Sequence, residues 1–388
     1  MIVTSAGFIY TTQISIQIIQ GICLGLKWVA GNKYISQCAT EETKGFYFGL
    51  FWGIFMISMV FGSLMAAFIS IHFKQTTFVL IMAGIATLSI IVFSTLLDPI
   101  PQERYLPLDN LKEEDEIQIQ NSSERIKIFI KCENYESIPQ NPDSSNEYNF
   151  ISCQVYDQSK KQRQTQISLR KEVAQVLRLI SSKKMLPLIP QLIWLGISIA
   201  VYSGLFLIII IDTQSIGDDQ YKFSQSMLTM VSFGIGEIVG SLVSGFMIDK
   251  YGNKKTVLLN ILLISIQTII MIICMIDYRF SYFSYFLTFT WGLQDSSTNT
   301  LSVEILAFEF CNNSQSIGIS NIGLAIGSLI FNFIQGFIKG KEQYLIYTTV
   351  IGFLGILCNV STLFFKFKPM PIHLQKSMKS MKSNGDFQ

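Results

Sequence analysis

The chain has 388 residues, of which 49% are hydrophobic and 14% charged, against roughly 25% charged in an average soluble domain. That shortfall points to lipid, and with a net charge of +2 and basic residues scattered between apolar runs it sets nucleic acid aside as a partner. The seven cysteines form an odd, widely spaced set without a CxxC pair, so they suggest neither a disulfide framework nor a zinc site.

The opening MIVTSAGFIY lacks a basic region and a convincing cleavage site, so no removable signal peptide is expected. Nine segments are then long and apolar enough to cross a bilayer, near 8–31, 46–71, 76–97, 187–211, 223–248, 255–276, 280–307, 314–337 and 344–365. All must be helices, because a lone strand cannot satisfy its backbone in lipid. The expected class is therefore an all-α polytopic membrane protein. The first span is rich in Thr, Ser and Gln, and the seventh is polar in its second half.

Lys27 lies inside the first apolar run, beside Trp28. A charge in hydrocarbon is costly unless it faces a partner or a water-filled cavity, which makes Lys27 a functional-site candidate. Gln20, Lys27 and Tyr34 share one face of that span. Gln191, Ser198 and Tyr202 form a similar stripe in the fourth span, and Trp291, Asp295, Thr298 and Ser302 in the seventh. Glu237 is a further intramembrane acid, set among small residues whose four-residue spacing (Gly236 with Gly240) recurs at Gly323 and Gly327 and favours close helix approach. Glu304 and Glu309 sit near a span end and are expected to be solvated. His72 and His373 lie in connectors without metal-ligand spacing, and no HExxH, GxSxG or paired His and carboxylate suggests an enzyme. No cofactor is implied.

Between the third and fourth spans, 98–184 changes character. Its first half carries the acidic run Glu113, Glu114, Asp115, Glu116 and then Asn, Ser and Pro, too little apolar surface to fold alone, so most of it is expected to be disordered. Its end differs: Leu169, Val173, Val176, Leu177 and Ile180 recur at helical spacing opposite Arg170, Lys171, Arg178, Lys183 and Lys184. Such a basic amphipathic helix either lies on the membrane surface or leads into the next span. The basic segments Lys160 to Lys184, Lys250 to Lys255 and the tail with Lys366, Lys368, Lys376, Lys379 and Lys382 all fall on one side, which is then cytoplasmic. Nine spans put the N-terminus on the other side. The sequons at Asn121 and Asn312 are then cytoplasmic and Asn359 lies in a span, so none is expected to be glycosylated. The expected division is 1–97 with three spans, 98–184 as the cytoplasmic loop, 185–366 as a six-helix bundle, and 367–388 as a cytoplasmic tail.

The most specific motif is Gly245-Phe-Met-Ile-Asp249-Lys250-Tyr-Gly252-Asn-Lys254-Lys255, between the fifth and sixth spans. It resembles the cytoplasmic GxxxD(R/K)xG(R/K)(R/K) element of the major facilitator superfamily, in which glycine allows close packing, the carboxylate bonds neighbouring helix ends, and the second glycine makes the turn. An internal echo agrees: Leu24-Gly25-Leu26-Lys27-Trp28 is matched by Trp291-Gly292-Leu293-Gln294-Asp295, each followed by a polar connector and a Gly-punctuated span. On this register the first three spans correspond to helices four to six of such a fold, so the N-terminal half of the bundle is expected to be incomplete.

A narrower resemblance follows. WVAGNKYISQCATEETKGFYFGLFWGIFMISMVFGSL is similar to a conserved block of the Unc-93-like (uncoordinated-93) family, as are SKKMLPLIPQLIWLGISIAVYSG and WGLQDSSTNT. That resemblance implies an ion-channel regulatory or accessory membrane protein with a role in potassium homeostasis, with the bilayer and an ion channel or other membrane protein as partners. The superfamily resemblance implies the alternative, a secondary transporter of a small solute working by alternating access. It also implies that the first, fourth and seventh spans here line a central cavity, so that Lys27 and Asp295 either pair across it or both snorkel to the cytoplasmic interface.

Overall fold

The computed structural model describes residues 2–73, 75–95, 104–107, 150–153, 169–310 and 313–368. Among them are α1 (Ile2–Cys38), α2 (Lys44–His72), α3 (Gln75–Ser94), α4 (Leu169–Ile180), α5 (Ile189–Ala200), α6 (Phe206–Asp212), α7 (Asp219–Tyr251), α8 (Asn253–Asp277), α9 (Tyr282–Phe308), α10 (Asn313–Gln335) and α11 (Lys341–Ser361). A π-helical turn, Val201–Leu205, joins α5 to α6, so that the two form one continuous span. The spans expected from the sequence are all present as long helices. α1 and α7 extend further at both ends than their apolar runs, because polar residues at span ends can continue a helix into the interface.

Hydropathy and length alone select eight of these helices, and α9 is the one they leave out. Its polar second half is accounted for by position. Every residue from Gln294 to Phe308 is buried, in contact with α1, α2, α5, α7, α8 and α10, so this helix meets protein where the others meet lipid. α3 is the opposite case, with no buried side chain among those described. The outer faces of the bundle carry Leu80, Ile90, Leu329, Phe333 and Leu357, all more than half exposed, as a hydrocarbon solvent requires.

Local chemistry fixes the helix ends. The Asp218 carboxylate accepts from Tyr221 N at 2.9 Å at the start of α7, and a Ser281–Ser284 capping box starts α9. Gly252 has φ +81°, a left-handed conformation that lets α8 begin one residue after α7 ends. At the other end of α9, Lys184 Nζ donates to the Glu309 carbonyl and Lys368 Nζ to Phe308 O at 2.6 Å. Cations here satisfy and neutralise the negative end of the helix.

One expectation changes, and a short ribbon appears within the loop. Glu304 and Glu309 are not solvated: they are 0% and 4% exposed, because α9 runs through the interior to its last turn. Within 98–184, Arg104–Pro107 pairs antiparallel with Phe150–Cys153, Arg104 opposite Cys153. These runs are among the more apolar pieces of the loop, which favours a ribbon over an open chain. The acidic run, the sequons at Asn121 and Asn312 and the tail from 369 lie outside the described residues. The amphipathic helix is present as α4. Val176, Leu179 and Ile180 pack against the cluster containing Met185, Leu188 and Ile317, Gln175 bonds Gln315 at 3.0 Å, and Val173 and Leu177 stay exposed.

Candidate functional site

Small residues bring three helices into backbone contact at the centre of the bundle. A Cβ on Gly236 would strike Phe289 O, one on Gly240 would strike Leu293 O, and one on Gly292 would strike Phe233 O. α7 and α9 are therefore locked together at a distance only glycine permits. On the other side of α7, Gly49 lies against Ser241 O and Gly45 against Gly245 O, which seats α2 equally close. The expectation that Gly236 and Gly240 serve close approach is met here. Gly327 serves α10 in the same way, against Ile193 O of α5.

The consequence is a buried acid pair. Glu237 projects from α7 and Asp295 from α9, 0% and 2% exposed, within interaction range of each other. Trp52 Nε1 of α2 donates to Glu237 Oε2 at 2.9 Å, and Asn299 Nδ2 donates to Asp295 Oδ2 at 3.0 Å. Glu237 Oε1 and Asp295 Oδ1 have no donor within hydrogen-bonding geometry. A single proton shared by the pair would let one carboxyl donate to the other, whereas two bare carboxylates so placed would repel in a medium of low dielectric.

The stripes read from the sequence divide into those that meet and one that does not. Those of the fourth and seventh spans form a continuous seam. Gln191 Nε2 donates to Ser302 Oγ at 2.9 Å, and Thr362 Oγ1 donates to Gln191 Oε1. Trp291 Nε1 donates to Ser198 Oγ at 3.0 Å, and Thr298 Oγ1 donates to Gln294 O at 2.8 Å. Tyr202 packs at a tilt against Phe233, with ring centres 4.5 Å apart, and lies within electrostatic reach of both acids. It stands in the π-helical turn, a local widening that recurs at functional sites.

Lys27 does not join this seam. It is exposed on α1, its Nζ 5.8 Å from the centre of the Phe55 ring, and no ion pair to Asp295 forms. Gln20 is exposed and Tyr34 half-buried. Shared spacing identified a polar face but not the helix opposite it, and the place beside Asp295 is taken by α7. Trp28, next to Lys27, is half-buried. Its ring lies 5.5 Å from Trp52 and 5.1 Å from Phe55, behind the indole that holds Glu237.

At the end formed by the α2 N-terminus, the facilitator-like motif is assembled. Asp249 accepts from Gly45 N and Phe46 N, each at 2.7 Å, an anion on the positive end of a helix. Gly245 permits that approach, and Lys250, Lys254 and Lys255 are exposed around it. Lys44 Nζ lies 2.7 Å from Glu304 and 3.0 Å from Glu41, so α2 is tied to α9 as well as to α7.

Trp52 and Lys44 were not singled out in the sequence, and Glu304 was read there only as a solvated acid near a span end. The signal for Trp52 was present, since Gly45, Gly49 and Gly53 mark at four-residue spacing the face of α2 that meets α7, and Trp52 borders that face. Among the described residues no His, Cys, Asp and Glu cluster has a metal-binding arrangement. Comparison with protein families matches residues 1–332 to the Major Facilitator Superfamily. No curated protein matches the chain.

Proposed function

The chain belongs to the Major Facilitator Superfamily, and we propose that it is a proton-coupled secondary transporter of a small polar solute, with Glu237 and Asp295 as the proton-binding pair. The observation that carries this is the Trp52–Glu237 bond. Trp52 belongs to the first three spans and Glu237 to the last six, so a proton on the pair changes the strength of a contact between the two groups of helices. A carboxylate accepts a hydrogen bond roughly twice as strong as a neutral acid does. Deprotonation therefore draws α2 onto α7, and protonation loosens it. Such a difference between states is what coupling requires.

At the Lys44 end, the Asp249 bonds and the Lys44–Glu304 pair hold α2 against α7 and α9 and must break for that end to open. The neutral polar seam of Gln191, Ser198, Tyr202, Trp291, Thr298 and Ser302 suits a hydrogen-bonding solute. The test is uptake into proteoliposomes under an imposed pH gradient, with radiolabelled sugars, amino acids and carboxylates. Gradient-driven accumulation of one of them, lost in Glu237→Gln and in Asp295→Asn, supports the reading. Accumulation that survives both substitutions contradicts it.

The opening block, Trp28 to Leu64, favours a second reading as an ion-channel regulatory or accessory protein, through its similarity to Unc-93-like sequences. That reading expects co-purification with a potassium channel and no solute accumulation.

A further inference from the structure

A second polar feature lies behind the acid pair, inside the last six spans. Trp194, Gln267, Gln294 and Trp291 line a cavity with room for the centre of about one water molecule (about 10 Å³), closed by Ile264, Met271 and Gly352. Trp194, Gln267 and Gln294 are 1%, 1% and 0% exposed. Their polar atoms are unpartnered: Trp194 Nε1, both Gln267 amide atoms and Gln294 Oε1. The neighbouring hydroxyls of Thr268 and Thr348 are already spent on their own helices, bonding Ile264 O and Tyr344 O at 2.7 Å each. The lining residues therefore carry two unpartnered donor nitrogens, Trp194 Nε1 and Gln267 Nε2, and two unpartnered carbonyl acceptors, Gln267 Oε1 and Gln294 Oε1, and a single water, which accepts two hydrogen bonds and donates two, can bond one of each kind per site. Buried donors and acceptors left without partners are costly, so the site favours an occupant that bonds them.

We propose that this cavity is an ordered-water site and that the water sets the orientation of Gln294 behind the Glu237–Asp295 pair. With Gln294 Oε1 accepting from the water, its Nε2 faces Ser198 Oγ, at 3.5 Å. Ser198 then receives both Trp291 Nε1 and Gln294 Nε2, which leaves its own hydroxyl proton to turn toward Asp295, whose carboxyl it neighbours. Gln267 and Trp194 act on the acid pair only through the water and Gln294, as positioning residues. This last step rests on the proton-bearing role proposed above; the water site does not.

Radiolytic footprinting of the detergent-purified protein reads the water directly, because radicals formed from a bound water oxidise the side chains beside it. Trp194 and Met271 should oxidise several-fold faster than Met185 and Met275, which are equally buried, at 0% and 2% exposed, and do not line the cavity. Gln267→Leu should abolish the excess at Met271. Trp194→Phe, which keeps most of the ring, should reduce it and serves if the first variant does not fold. Oxidation of Met271 no faster than of Met185 and Met275 in the wild type overturns the site. For the positioning step, the infrared C=O band of the protonated carboxyl should shift in Gln267→Leu and stay in place in Met271→Leu, which alters the cavity wall but keeps its four polar atoms. A wet cavity with an unmoved band overturns that step while leaving the water site standing, and neither result depends on transport.

Discussion

Replacing Gly245 by alanine should part α2 from α7 and, through that movement, release Asp249. A methyl group on Gly245 would overlap Gly45 O and lie 3.0 Å from the Gly45 carbonyl carbon and 3.3 Å from Gly49 Cα. All three are backbone atoms, so no side chain can rotate away. Restoring a carbon contact of about 3.5–4.0 Å requires the helices to separate by roughly 0.5–1 Å. That movement stretches the two 2.7 Å bonds from Gly45 N and Phe46 N to Asp249 past the useful limit of about 3.2 Å. Bonds to a charged group contribute about 1.5–3 kcal/mol each. Asp249 is half-buried, so the low end applies, about 3 kcal/mol for the two. The assay is a double-mutant cycle of Gly245→Ala with Asp249→Asn, read by equilibrium unfolding in mixed micelles. Asp249→Asn should destabilise the wild type clearly and the Gly245→Ala background scarcely at all. Full additivity of the two substitutions refutes the reasoning, since Asp249 would then keep its bonds when the glycine is gone.

Trp52→Phe keeps the ring packed against Trp28 and Phe55 but deletes the 2.9 Å bond to Glu237. It should lower stability by roughly 1–3 kcal/mol in the same unfolding assay, and an unchanged midpoint would show that the bond contributes nothing. Glu304→Gln leaves Lys44 with Glu41 alone, at 3.0 Å. Because Glu304 is fully buried, the expected loss is about 3 kcal/mol, to be checked as a lower thermal midpoint in detergent at fixed salt. Gly292→Ala places a methyl against Phe233 O and 2.9 Å from Glu237 N. It should cost about 1–3 kcal/mol and move the acid pair apart, seen as a shifted carboxyl band in the infrared spectrum.

The sequence made the helices legible because apolar length is a strong signal and lipid permits no other solution for a lone span. Gly245, Asp249 and Gly252 were readable for a related reason, each being needed for a specific local geometry. The Lys27–Asp295 pair fails on partner choice. Seven-residue spacing shows that Gln20, Lys27 and Tyr34 share a face, but which helix stands opposite is decided by backbone contacts such as Gly236 with Phe289 O, and these leave no trace in the spacing of polar residues. Glu237 was visible as an intramembrane acid, whereas its partners Trp52 and Asp295 lie on α2 and α9 and become neighbours only in the packed bundle. Glu304 misled for a simpler reason: a charge near a span end suggests solvent, but α9 is interior along its whole second half.

The claim at the centre of the account is that Glu237 and Asp295 hold a proton between them, and infrared difference spectroscopy of the purified protein tests it most directly. The wild type should show a protonated-carboxyl C=O band that is absent from the Glu237→Gln/Asp295→Asn double variant and shifted in each single variant. Identical spectra for all four proteins would contradict the account, because the pair would then carry no proton and Trp52 would have no titrating partner to respond to.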